Sequence, residues 1–165
     1  METDRKTLLS ELENYPKEVL EKKPSADVWS VTEVIMHLTK AENGAFLYLQ
    51  KKLEYGGHKK APLTAGLKQK LLNLAVTLPI RYKAPNIVEV KNDNNIGFSE
   101  AVKNWTNVRD ALLSTYKTID EQIIDHELFK HPAAGKMNVV QSVKFMRQHM
   151  KHHIKQIHRT LKSVS

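Results

Sequence analysis

Residues 138–161 read NVVQSVKFMRQHMKHHIKQIHRTL, and their spacing sets the fold. Val139, Val143, Met146, Met150, Ile154, Ile157 and Leu161 recur every three or four positions, the period that gathers side chains on one side of an α-helix. Asn138 stands just ahead of the pattern, where it can cap the helix. At the edge of the apolar stripe, His149 and His153 lie four residues apart, so their imidazoles share a face about 6 Å apart along the axis. A helix with one apolar side must bury that side against other elements.

Working outward, the same periodicity returns three times. A third helix is expected from Ser99 and Glu100, carrying Val102, Trp105, Val108, Leu112, Leu113, Tyr116 and Ile119, and ending before the His131-Pro132-Ala133-Ala134-Gly135 loop. The second starts after Trp29, where Ser30 and Glu33 have capping-box spacing. It continues through Val34, Leu38, Ala41, Ala45, Tyr48 and Leu49 to about Leu53, with Gly56 and Gly57 as its stop. The first spans Thr3 to Glu21 through Leu8, Leu9, Leu12, Val19 and Leu20, and Pro16 kinks or divides it. Between Gly57 and Ser99, Pro79, Pro85 and the polar run Lys91 to Asn95 leave room for only a short helix, Ala65 to Leu74. The expectation is one all-α domain over residues 1–165, a four-helix bundle with a long crossover connection between helices 2 and 3.

Composition sets bounds on function. With no cysteine, the chain has no thiolate nucleophile, disulfide or thiolate ligand of its own. Its 26 Lys and Arg against 18 Asp and Glu give a formal charge of +8, which suits an anionic ligand. The bases are scattered, however. Their densest groups, Lys51, Lys52, Lys59 and Lys60, and Lys151, Lys155, Arg159 and Lys162, have the pattern of solvated faces, so nucleic acid is not an expected partner. No apolar run approaches the roughly 20 residues of a membrane span. The opening residues lack the basic-then-apolar order of a secretory signal, and a cytoplasmic location is expected.

The histidines carry the chemistry. His37 follows Val34 by three residues and precedes Ala41 by four, on or beside the buried stripe of the second helix. His37, His149 and His153 can therefore face one interior, where a single metal ion would keep open coordination positions for water or substrate, as catalytic centres do. Spacing alone equally admits three hydrogen-bonded packing residues. His152 falls toward Gln148, Lys155 and Arg159 and is read as surface or as support for the site. His58 belongs to the glycine turn, and His126 and His131 flank the end of the third helix, where imidazoles can serve exposed carbonyls.

Several motifs together resemble the DinB/YfiT-like superfamily. The segment Trp29 to Leu38 is similar to its tryptophan-serine entry into the second helix, closing on His37. His131-Pro132 with Gly135 resembles its loop before the last helix, His149 to Ile157 its terminal histidine motif, and Lys83-Ala84-Pro85 a recurring element of its crossover. These landmarks span nearly the whole chain in the expected order. The resemblance implies a four-helix bundle in which His37, His149 and His153 bind one divalent metal. It also implies a range of activities: thiol-dependent S-transferases using a small thiol such as bacillithiol, thiol-dependent isomerases, and proteins labelled only as metal-dependent hydrolases.

The expected function is accordingly a divalent-metal-dependent enzyme, foremost a thiol-dependent S-transferase acting on a low-molecular-weight thiol and an electrophilic substrate. A metal-dependent hydrolase and a non-catalytic metal-binding bundle are the alternatives. Three imidazoles accept Zn²⁺, Ni²⁺, Fe²⁺ or Mn²⁺, with zinc or nickel favoured. Glu33 and Gln156 lie one turn from the histidines, Glu33 being read first as the capping carboxylate. No general base is assigned. Tyr48, Tyr82, Phe98 and Trp105 are read first as packing residues and only second as pocket lining. A homodimer is left open, since no long heptad or apolar patch specifies one.

Overall fold

The computed structural model describes residues 1–56, 59–61, 96–131 and 135–165. Their helices are α1 (Glu2–Leu12), α2 (Lys17–Glu21), α3 (Val31–Tyr55), α4 (Phe98–Lys117) and α5 (Val139–Val164). They form an all-α bundle in which α1 and α2 together take the place of the first expected helix. Pro16 divides that pair: its φ of −58° and ψ of 145° are extended, and α2 begins at the next residue. His58, the Ala65 to Leu74 helix, Tyr82 and Lys83-Ala84-Pro85 lie outside the described residues.

Capping places the two longest helices. Ser30 Oγ accepts from the Glu33 backbone N–H at 3.1 Å while Glu33 Oε2 accepts from the Ser30 N–H at 2.8 Å, so α3 starts where the sequence indicated. Lys23 Nζ holds the same Glu33 carboxylate at 3.0 Å, which leaves Glu33 a capping residue. At the far end α3 stops on Gly56, whose φ of +64° favours glycine. Asn138 does more than the expected capping: Gln141 Oε1 returns a 3.0 Å bond to the Asn138 N–H, completing a second box. The start of α4 has no capping side chain of its own. Glu21 from the end of α2 accepts from the Phe98 N–H at 2.8 Å, and a Cβ on neighbouring Gly97 would lie 3.1 Å from that carboxylate oxygen.

The third helix is shorter than the periodicity predicts. It ends at Lys117, and Ile119 and the following residues leave the helix. Thr118 Oγ1 bonds the Thr115 carbonyl at 2.9 Å, a local side-chain alternative to another helical turn. A 3₁₀ turn (Glu121–Ile123) follows, and then β1 (Phe129–His131) pairs antiparallel with β2 (Gly135–Met137), Phe129 facing Met137 and His131 facing Gly135. The expected His131 to Gly135 loop thus joins two short strands. Leu128, Phe129 and Met137 are buried, so the hairpin covers one end of the bundle.

Two apolar clusters fill the bundle. Leu8, Leu12, Leu20, Val34, Ile35, Leu38, Trp105, Ile157 and Leu161 make one, and Leu49, Leu112, Leu128, Phe129, Met137 and Met146 the other. Between them along α3 and α4 sit Glu42 and Arg109. Arg109 is 0% exposed; its Nε donates to Glu42 Oε2 at 2.8 Å, its Nη2 to Glu42 Oε1, and its Nη1 to Glu2 Oε1 at 3.2 Å. Arg5 takes the other oxygen of Glu2 at 3.1 Å and also reaches Thr106. Both guanidiniums lie over the Trp105 ring, 5.8 and 5.7 Å from its centroid. Trp105 is therefore core, and Phe98 packs against the same cluster.

Candidate metal centre

The same middle stretch of the bundle gathers the three histidines. The capping box fixes the first turn of α3, and His37, two turns along, points inward because Val34, Ile35 and Leu38 hold that face in the core. On α5, Met146, Met150 and Ile157 anchor the buried face and bring His149 and His153 to the same side. His37 and His153 are buried, and His149 is half-buried. Their ligand nitrogens all lie within 4.8 Å of one another. His149 Nε2 is 3.4 Å from His37 Nε2 and 3.1 Å from His153 Nε2.

Those separations suit a bound ion. Nitrogens at about 2.0–2.1 Å from tetrahedral zinc stand roughly 3.3 Å apart, and around an octahedral ion of similar bond length roughly 3.0 Å. The donor chemistry agrees. Burial, then the neighbouring His153 and His37, holds the His149 imidazole well below its usual pKa, and burial pushes His153 down to about 3. Both rings are neutral at pH 7, with a lone pair free for a metal. Gln156 Oε1 lies 2.8 Å from His153 Nδ1 and accepts its proton's hydrogen bond, which turns the unprotonated Nε2 toward the other histidines.

Aromatic rings surround the cluster. Trp29 packs on His37 at 5.0 Å between centroids, and His152, half-buried, meets His153 edge-on at 5.1 Å. Phe145 lies 5.7 Å from His149 with the two planes 13° apart. His131 packs on Phe145 at 4.4 Å between centroids, tilted by 54°.

His126 and His131 are placed differently from the sequence expectation. They do not flank the end of the third helix, because that helix stops at Lys117. His126 sits beside Asp125, Nδ1 to Oδ1 2.8 Å, and its segment pairs with residues 59–61 through Ala61 N to Asp125 O and Glu127 N to Lys59 O. His131 belongs to β1 beside the candidate centre, and burial lowers its pKa. The spacing also passed over Glu42, Arg109 and Phe145. Glu42 follows Leu38 by four residues and Arg109 follows Trp105 by four, so an acid and a base on two buried stripes were the available signal.

Comparison with known proteins agrees with this architecture. A family model described as the DinB superfamily matches residues 1–157. The uncharacterized protein YuaE of Bacillus subtilis (strain 168) is 30% identical over 148 residues, covering 90% of this chain and 86% of that protein. No solved structure matches. The helical bundle, the converging histidines and a family match reaching from the first residue into the last helix lead to one assignment: the chain belongs to the DinB superfamily.

Proposed function

We propose that this protein is a divalent-metal-dependent S-transferase in which His37, His149 and His153 hold the ion and a low-molecular-weight thiol is the nucleophile. The observation that carries this reading is the convergence of three imidazole nitrogens within 4.8 Å, two of the rings on a helix that holds no acidic residue. Three neutral ligands leave a divalent ion its full charge, and the bound ion would supply the Lewis acidity that favours the ionised form of a thiol near neutral pH.

The chain's own part is to hold those nitrogens in place and keep them unprotonated. Burial keeps His149 and His153 neutral, and Gln156 fixes the tautomer of His153. In the transfer, the thiol gives its proton to water and its sulfur attacks an electrophilic carbon. A C–S bond forms as the bond to the leaving group breaks, and the leaving group departs with the electron pair. The thiol comes from solution, which is consistent with a chain that has no cysteine. Zinc and nickel are the favoured ions.

Elemental analysis of the purified wild type beside the His149→Ala, His153→Ala double variant tests the centre. Near one equivalent of metal in the wild type and loss in the variant are expected, followed by metal-dependent consumption of a small thiol in the presence of an electrophile. Metal-free wild type after reconstitution with zinc and nickel overturns the metal centre. Hydrolysis without thiol consumption replaces the transferase reading with a hydrolase.

A further inference from the structure

The three histidines are not held alike. His153 is anchored through Nδ1 by Gln156, and His37 lies buried against Trp29. The described polar contacts of His149 are those to the other two imidazoles, both made through Nε2, the nitrogen that a metal would occupy. His149 is half-buried, and the Phe145 ring stands near-parallel to it, centroids 5.7 Å apart with 13° between the planes. Phe145 is one helical turn before His149 on α5, the spacing at which side chains on a helix meet. It is itself covered by His131, whose ring stands 4.4 Å away at a 54° tilt. Ring contacts, one tilted and one stacked, therefore link the hairpin through Phe145 to the candidate ligand.

An imidazole ligand fixes a metal only when its ring plane is held, because rotation about Cβ–Cγ turns the lone pair away from the ion. Hydrogen bonding to the second ring nitrogen is the usual restraint. For His149, the near-parallel Phe145 ring is the neighbour placed to limit that rotation. We propose that Phe145 is the positioning residue for His149, and that strand β1 clamps it from outside through His131. This rests on the metal-centre reading and adds that the affinity of the centre is set by an aromatic wedge joining the hairpin to α5.

The test is competition of Zn²⁺ between a chromophoric chelator and the wild type, Phe145→Leu, Phe145→Tyr and His131→Ala, with the visible spectrum of each Co²⁺-loaded protein recorded alongside. Phe145→Leu keeps an apolar side chain but removes the flat face, and zinc should bind about tenfold more weakly, the lower end of the loss seen when a ligand's support is removed. Its cobalt spectrum should change as well, whereas Phe145→Tyr should stay near wild type in both. His131→Ala should weaken zinc in the same direction by a smaller factor, and it decides alone if Phe145→Leu fails to fold by circular dichroism. A lower melting temperature of metal-free Phe145→Leu with wild-type zinc affinity and an unchanged cobalt spectrum would make Phe145 a packing residue and overturn the proposal. Zinc-free wild type would instead remove the metal-centre reading beneath it, a separate outcome.

Discussion

A histidine becomes a ligand or a packing residue according to what surrounds its two nitrogens. His153 has a folded pKa near 3 against about 6.5 in an open chain, so between those values the unfolded protein binds the proton and the folded one does not. Unfolding thus takes up protons there, and stability falls as pH falls. Metal-free protein should have its full stability above about pH 6.5 and lose up to about 1.4 kcal/mol per pH unit for each such histidine on acidification, read by urea unfolding at pH 7.5 and 5. His153→Gln should flatten that dependence. Gln156→Ala should leave the fold intact and weaken zinc binding by about tenfold, measured by chelator competition, because His153 loses the partner that sets its tautomer. The family-like motifs made His37, His149 and His153 legible in the sequence. The contact between His131 and Phe145 was not, since their meeting depends on a hairpin whose strands are only three residues each.

At the scale of elements, the boundaries carried by side-chain caps were readable and those carried by tertiary contacts were not. Ser30 with Glu33 and Asn138 with Gln141 are local devices, three residues across, and they cap α3 and α5 just ahead of Val31 and Val139. The start of α4 depends on Glu21, 77 residues away, and no local pattern announces it. Ser30→Ala should cost about 1 kcal/mol, measured as a lower urea midpoint at unchanged slope, because the Glu33 N–H loses its acceptor at the helix N-terminus. The end of the third helix shows the opposite failure: Ile119 kept the apolar period, yet the hydroxyl of Thr118 had already turned back onto the Thr115 carbonyl.

For the molecule as a whole, the Glu42–Arg109 pair ties α3 to α4, and Glu2 extends the tie to α1. Burial raises the Glu42 carboxyl's pKa while the Arg109 guanidinium pulls it back, so each charge is tolerated only through the other. Arg109→Met should destabilise the protein by about 3–5 kcal/mol by leaving Glu42 alone in the core, and adding Glu42→Leu should restore much of that loss, as seen in denaturant unfolding. Zinc bound to the native state but not to the unfolded chain should raise the melting temperature in proportion to the logarithm of free zinc, and EDTA should reverse the rise. No helix among the described residues is long and apolar enough to cross a membrane.

The sequence by itself determined the all-α class, the capped starts of α3 and α5 and the shared face of His149 and His153, because helical periodicity, capping and the i, i+4 spacing are local properties. Only the tertiary structure decided that the nitrogens of His37 and His149 meet at 3.4 Å across 112 residues, that an acid and a base neutralise each other inside the bundle, and that the Phe145 ring meets both His131 and His149. Those contacts depend on how helices distant in the chain cross and turn against one another, and spacing within one helix carries no information about the rotation of its neighbour.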